Sequence, residues 1–204
     1  MQIYHTTFDQ NTGAYGGALR TEESRIDYGM NLTFTLNTAT YDGGAFYSYA
    51  AGSNRTLYDR RGLSRQQGPQ RLPSGGLFAR NNVTVSLYRA TVDGNQVKHD
   101  GAGLYARDAT ILINSGAVTD NKVDGTDDYS SGGGLYITGT SKLTLSNAQI
   151  DRNQIDYLGN GGGVHLYGTT ATLNNVTLNN NKATNAAAGG GSCTFRMDRP
   201  PSAA

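Results

Sequence analysis

The chain has 204 residues, 28 of them glycine, with 16% charged residues and a formal net charge of +1. So even a balance of charge gives no electrostatic reason to expect nucleic acid or an anionic membrane as a partner. The lone Cys193, without Cys/His ligand spacing around it, excludes an intrachain disulfide and a cysteine zinc site, and no apolar run approaches the ~20 residues that span a bilayer.

Taken in chain order, the first stretch, "MQIYHTTFDQN", lacks the basic segment and apolar core of a leader, and it already lies inside a repeat. Ile3 and Phe8 stand where Leu145 and Ile150 stand later. Two landmarks then recur. One is a run of small residues before an aliphatic or aromatic residue: "GGAL" at Gly16, "GGAF" at Gly43, "SGGLF" at Ser74, "GAGLY" at Gly101, "GGGLY" at Gly132, "GGGVH" at Gly161 and "GGGS" at Gly189. The steps between the residues that follow are 27, 31, 27, 31, 29 and 28. The other is a hydrophobic residue three before an Asn: Phe8 with Asn11, Phe34 with Asn37, Val92 with Asn95, Val118 with Asn121, Ile150 with Asn153, Leu178 with Asn181. A copy is missing between Asn37 and Asn95, a gap of 58, and midway Leu63 precedes Gln66 in "LSRQQG". That copy is degenerate. Residues 51–73 are therefore expected to be a degenerate repeat or a longer loop, and they gather Arg55, Arg60, Arg61, Arg65 and Arg71 against Asp59, a basic patch that an acidic glycan could also use. Residues 1–191 form one repeat domain. From Ser192 the pattern is abandoned, and with Pro200 and Pro201 the stretch 192–204 is expected to be irregular. Both ends look cut, as in a fragment.

Within each repeat the residues alternate by two, the signature of strands, and no apolar residues hold helical spacing over three turns. Aligned on the Asn, the inward columns read Val85, Leu87 and Val92, then Ile111, Ile113 and Val118, then Leu143, Leu145 and Ile150, then Ala171, Leu173 and Leu178. Repeats of this length cannot bury a face alone and must stack. The expected fold is all-β, a right-handed parallel β-helix of about seven rungs of about 29 residues, since a propeller blade needs roughly 40. Glycines would allow close backbone passage at the turns, and the column Asn11, Asn37, Asn95, Asn121, Asn153 and Asn181 would adopt the left-handed conformation and hydrogen-bond from rung to rung. Asp151, beside that column, is expected to tolerate replacement.

The pairing of "FDQNTGAYGGAL" with "FTLNTATYDGGAF" resembles the repeats of polymorphic outer membrane proteins and related autotransporter passengers. Phe8, Asn11, Gly16, Gly17, Phe34, Asn37, Gly43 and Gly44 carry the resemblance best, and later copies replace Phe by Val, Ile or Leu. It implies a surface adhesin, typically exported by a C-terminal membrane barrel that these residues do not contain, and an extracellular or outer-membrane-associated location.

On the strand after the glycines, the outward column reads Tyr47, Phe78, Tyr105, Tyr136 and His165, broken only by Arg20 in the first rung. Two residues on come Tyr49, Arg80, Arg107, Thr138 and Tyr167. A ribbon of rings flanked by hydrogen-bonding groups can stack on sugars or dock an aromatic-rich partner, or it can simply stabilise the strand surface. The partner expected is a glycan or protein on a host or neighbouring cell, with no cofactor. The alternative is a carbohydrate-active enzyme on the same fold, a lyase, hydrolase or uronate epimerase, which would need a cluster of acids with Arg or Lys on one face. The acidic run Asp120, Asp124, Asp127 and Asp128 fails a calcium loop, because Lys122 takes a ligand place and Ser131 stands where the closing Glu belongs. His5, His99 and His165 fall at unrelated repeat positions, and no nucleophile with a partner can be assembled, so no catalytic residue is assigned.

Overall fold

The computed structural model describes residues 2–22, 28–30, 33–39, 43–49, 55–59, 62–64, 75–125, 130–184 and 193–196. Every regular element among them is a strand, and the strands of successive repeats pair in parallel. The chain is an all-β parallel solenoid. Four walls make a complete coil. A glycine-led wall stacks seven strands, from Leu19–Glu22 through Leu104–Arg107 and Leu135–Thr138 to Cys193–Arg196. A long wall follows, with five strands from Arg55–Asp59 to Thr170–Asn174. The wall ahead of the Asn stacks seven strands, from Thr7–Asp9 to Thr177–Asn179, and a two-residue strand after the Asn closes the coil.

About seven rungs were expected, and the described residues complete all four walls in four coils, within residues 77–183. Earlier copies contribute to some walls only. The degenerate copy supplies Arg55–Asp59 and Gly62–Ser64, with Leu63 paired to Phe34 on one side and Val92 on the other. Leu63 thus fills the missing place in its column; Gln66 and the side chains of the basic stretch lie outside the described residues. The tail also differs from expectation at one point. Cys193–Arg196 continues the glycine-led wall, with Cys193 opposite Val164, because the two-residue alternation persists until the prolines forbid it.

Register follows the aligned columns without a slip. Val85, Ile111, Leu143 and Ala171 are successive partners, as are Leu87, Ile113, Leu145 and Leu173. Phe8, Phe34, Leu63, Val92, Val118, Ile150 and Leu178 form the third column. Among the described residues, the side chains of Val85, Leu87 and Val92 and of their partners in the later coils, with Leu77, Leu104, Leu135 and Val164 from the glycine-led wall, make one core, fully buried in the middle coils. A one-residue shift would turn every one of them to the outside, which is why the register is so firmly set.

The Asn corner departs from expectation in an instructive way. The left-handed residue is the one before the Asn: Gln10, Leu36, Gly94, Asp120, Arg152 and Asn180 all have positive φ, and the Asn residues do not. Turning the chain one residue early aims the Asn side chain into the coil, where Asn37, Asn95, Asn121 and Asn153 are wholly buried. The third residue of the triplet is Gly76, Gly103 and Gly134 in the middle copies, and there it lies directly against the Asn. A Cβ on Gly134 would sit 2.6 Å from the Gly163 carbonyl oxygen and 3.0 Å from the Asn153 amide, and Gly103 stands likewise against Asn121. The two periodic landmarks touch, so they keep one beat.

Candidate functional site

The ladder side is built from a single side-chain type used in full. Asn153 Oδ1 accepts from the Asn121 backbone N–H at 3.1 Å and from Asn121 Nδ2 at 2.9 Å, while Asn153 Nδ2 donates to the Val118 carbonyl at 2.8 Å and to Asn181 Oδ1 at 2.9 Å. Asn95 donates to Asn121 in the same way, and Asn11 to Asn37. Asn37, Asn121 and Asn181 each also donate Nδ2 to the carbonyl of the hydrophobic residue in the coil before, Phe8, Val92 and Ile150. The hydrophobic residue three before each Asn is thereby tied in by its backbone as well as its side chain. In the middle coils this column is structural chemistry, the amides of Asn121 and Asn153 being taken up by their neighbours.

On the glycine-led wall the expected outward column is brought together as one stack. Tyr47 lies over Phe78 at 5.0 Å and Phe78 over Tyr105 at 5.3 Å, both pairs with nearly parallel rings. Tyr105 meets Tyr136 edge-on at 5.4 Å, and Tyr136 meets His165 at 5.2 Å. At the other end Tyr15 continues the stack, 5.2 Å from Tyr47, and the Arg20 guanidinium lies over Tyr15 at 4.9 Å. Arg20 therefore caps the rings rather than interrupting them. Tyr15 escaped the sequence alignment because it precedes the glycines instead of following them.

The rings do point away from the main core, but most of them are not open to water. Tyr47, Phe78 and Tyr105 form a second buried cluster, with Tyr15, Tyr49 and Tyr136 packed on it, and His165 is buried too. Tyr136 is half-buried and Tyr167 is exposed. The residue before the glycines adds to the cluster in the first copy, where Tyr15 packs on Tyr47. Asp100, immediately ahead of Gly101, accepts the Ser131 backbone N–H at 2.6 Å, and Ser130–Ser131 pairs with Gly159–Asn160 beside it. Burial pushes the Asp100 carboxyl up to about 7, the Ser131 hydrogen bond pulling the other way. Burial likewise pushes the Tyr105 hydroxyl up to about 12, with Tyr136 and Asp100 adding to the rise and Arg107 and Arg80 opposing it. Tyr136 is raised by burial and by Asp100. Nothing in the repeat pattern marked Asp100, since the place before the triplet holds Tyr15, Ser131 and Asn160 in other copies.

Of the acidic residues singled out in the sequence, the two that are described, Asp120 and Asp124, each pair with basic or amide partners of their own. Asp120 is held by the Arg152 guanidinium through two hydrogen bonds of 2.8 and 2.7 Å, and Asp124 pairs with Lys98 at 3.1 Å and with Gln96. Asp127 and Asp128 lie outside the described residues. Asp151 corrects the expectation of tolerance. It is buried, paired with Arg152 and hydrogen-bonded by Asn180 and Gln149, because the left-handed turn at Arg152 folds it under the corner.

Residues 31–49, the copy that holds Phe34, Asn37, Gly43 and Gly44, match the family model of the Chlamydia polymorphic membrane protein repeat. No curated protein and no solved structure matches the chain significantly. The chain carries a polymorphic membrane protein repeat, and that repeat together with the parallel β-solenoid fits the passenger region of a polymorphic outer membrane protein.

Proposed function

We propose that this region is displayed on the cell surface, associated with the outer membrane where the whole protein carries a barrel, and that it acts in adhesion rather than catalysis. Its contact surface is the open rim of the ring stack, Tyr136 and Tyr167, with Arg107 beside them and with Tyr47, Phe78, Tyr105 and His165 holding the rim rigid from behind. The carrying observation is the stack of rings from Tyr47 to His165, along which Tyr136 is half-buried and beside which Tyr167, two residues after His165 in the same strand, is exposed. A rigid aromatic edge gives contact area at low entropic cost, and the near-zero net charge favours a neutral glycan or a protein as the partner. The test is attachment to cells or a glycan array by a Tyr136→Ser/Tyr167→Ser variant. Two lost ring contacts of about 0.5 to 1.5 kcal/mol each predict attachment weakened roughly tenfold with the fold intact. Attachment equal to the parent's would remove the rim as the contact surface.

A further inference from the structure

The corner between the long wall and the wall ahead of the Asn holds a groove that the ring stack does not reach. In successive coils the corner turns on Arg89, Ser115, Asn147 and Asn175, all with φ near 50°. The residues that follow the first three, Ala90, Gly116 and Ala148, are small, so the corner is hollow there. The result is an open groove of about 370 Å³ crossing four coils. At about 4.8 Å per coil it runs roughly 14 Å along the solenoid.

The chemistry of this groove narrows what can occupy it. Much of its backbone is engaged between coils: Arg89, Ser115 and Asn147 N–H groups donate to the next coil, and those of Ala117, Gln149 and Thr177 donate to the Ala90, Gly116 and Ala148 carbonyls. A peptide strand therefore finds no continuous main-chain ladder to join. What remains are hydroxyls and amides on the rim, from Thr91, Thr177, Asn147, Gln149 and Asn175. Asn175 Nδ2 donates to Asn147 Oδ1 at 2.8 Å, which leaves the Asn147 Nδ2 and Asn175 Oδ1 functions of that pair for a ligand. The lining includes no carboxylate and a single cation, Arg89, at one end. The Arg89 guanidinium lies 5.2 Å over the Tyr88 ring and makes no ion pair among the described residues. A guanidinium laid on a ring is pre-oriented, with its in-plane N–H fork open to a carboxylate.

From this geometry we infer that the corner groove binds a short linear oligosaccharide, lying along the solenoid axis, whose unit at the Arg89 end carries a carboxylate. Hydroxyl and amide groups carried by successive coils, Thr91, then Ser115, then Asn147 and Gln149, then Asn175 and Thr177, suit the repeated hydroxyls of a sugar chain. The inference stands apart from the adhesion reading, since it uses a different face.

The experiment titrates the isotope-labelled chain with maltotriose, cellotriose and chitotriose, and with each of them oxidised to a uronate at one terminal unit, following backbone amide shifts. The expected perturbations centre on Ser115, Gly116, Asn147 and Gln149, and one uronate form binds about tenfold tighter than its neutral parent. Arg89→Gln, an exposed change, should abolish that difference and leave the neutral affinity unaltered. Gln149→Ala with Thr177→Ala, both on the exposed rim, should weaken neutral and acidic forms alike, and Tyr136→Ser/Tyr167→Ser should change neither. Corner amides unmoved by every sugar, or shifts confined to Tyr136 and Tyr167, would overturn the site. A difference between acidic and neutral forms that survives Arg89→Gln would overturn the carboxylate end.

Discussion

At the scale of single residues, the Asn column and Asp100 show what buried polar groups do when paired in full and when charged. Asn153→Ala removes two acceptor and two donor bonds at a wholly buried place and leaves the Asn121 amide and the Val118 carbonyl unanswered. The expected loss is about 3 kcal/mol, read from urea midpoints, and a midpoint equal to the parent's would mean that water replaces the side chain. This role was legible in the sequence, because an amide ladder between stacked coils requires an Asn at one fixed step from a hydrophobic residue in every copy. Which residue takes the left-handed turn was not legible, since Gln10, Leu36, Asp120 and Arg152 share no chemistry that announces it. Asp100 makes a different case. Its folded pKa of about 7 lies above the ordinary 3.8, so between those values the folded state keeps a proton that the unfolded chain gives up. Stability contributed here is whole below about pH 4, falls as pH rises toward 7, and stays low above it. Tyr105 and Tyr136 are both raised by burial and remain neutral across this window, so the part of the slope that Asp100→Asn removes belongs to Asp100. Asp100→Asn retains an acceptor for the Ser131 N–H. Unfolding at pH 5 and pH 8 should show the slope flattened and the variant more stable at pH 8 by on the order of 1 to 3 kcal/mol, discounted for the part of the residue that faces water. An unchanged slope would place the carboxyl in contact with solvent.

At the scale of elements, the glycine-led strands carry two opposite faces, and both are largely buried. Alternation in "GGGLYIT" correctly separates Leu135 and Ile137 from Tyr136, and it puts the rings of five coils in one column. It says nothing of the cover over that column. Tyr15, Asp100 and Ser130–Ser131 sit in the stretch between the short closing strand and the glycines, where the copies differ in length and sequence, so no periodic signal marks them. The consequence for substitution is concrete. Tyr105 is buried between Phe78 and Tyr136, and Tyr105→Ser should cost about 3 to 5 kcal/mol, the range for emptying an aromatic site. Tyr167, two residues beyond the column in its own strand, is exposed, and Tyr167→Ser should stay within about 0.5 kcal/mol. Thermal melts of the two variants side by side give the check. Similar melting temperatures would mean that the rings add nothing to the strands they stand on. Gly134 obeys the other landmark: no side chain fits between the Gly163 carbonyl and Asn153, so the glycine and the asparagine of a coil act as one joint.

At the scale of the whole molecule, each coil touches only the coil before and the coil after, so stability is the sum of coil and interface contributions rather than of one central core. Burial is graded along the stack. Ile111, Ile113, Leu143, Leu145 and Ile150 are wholly buried, whereas Ala171, Leu173, Val176 and Leu178 in the last complete coil are only partly so. Three of that coil's strands, Thr170–Asn174, Thr177–Asn179 and Lys182–Ala183, also end their sheets among the described residues. Local opening should therefore begin there. Native-state hydrogen exchange is expected to be slowest at Ile111–Asn114 and Leu143–Ser146 and about a hundredfold faster at Thr177–Asn179. Leu135→Ala then tests how far a defect travels. Emptying a wholly buried leucine site should cost about 2 to 5 kcal/mol, because the rungs above and below are held at fixed spacing by their backbone bonds and cannot close the gap. In a linear stack that loss divides the solenoid at its middle. Exchange should accelerate most at Leu104–Arg107 and Val164–Tyr167, the two strands in register with the defect, and least at Leu77–Arg80. Equal acceleration over all the described coils would show instead that the stack opens as a single cooperative unit, and nearest-neighbour addition of coil stabilities would not hold for this chain.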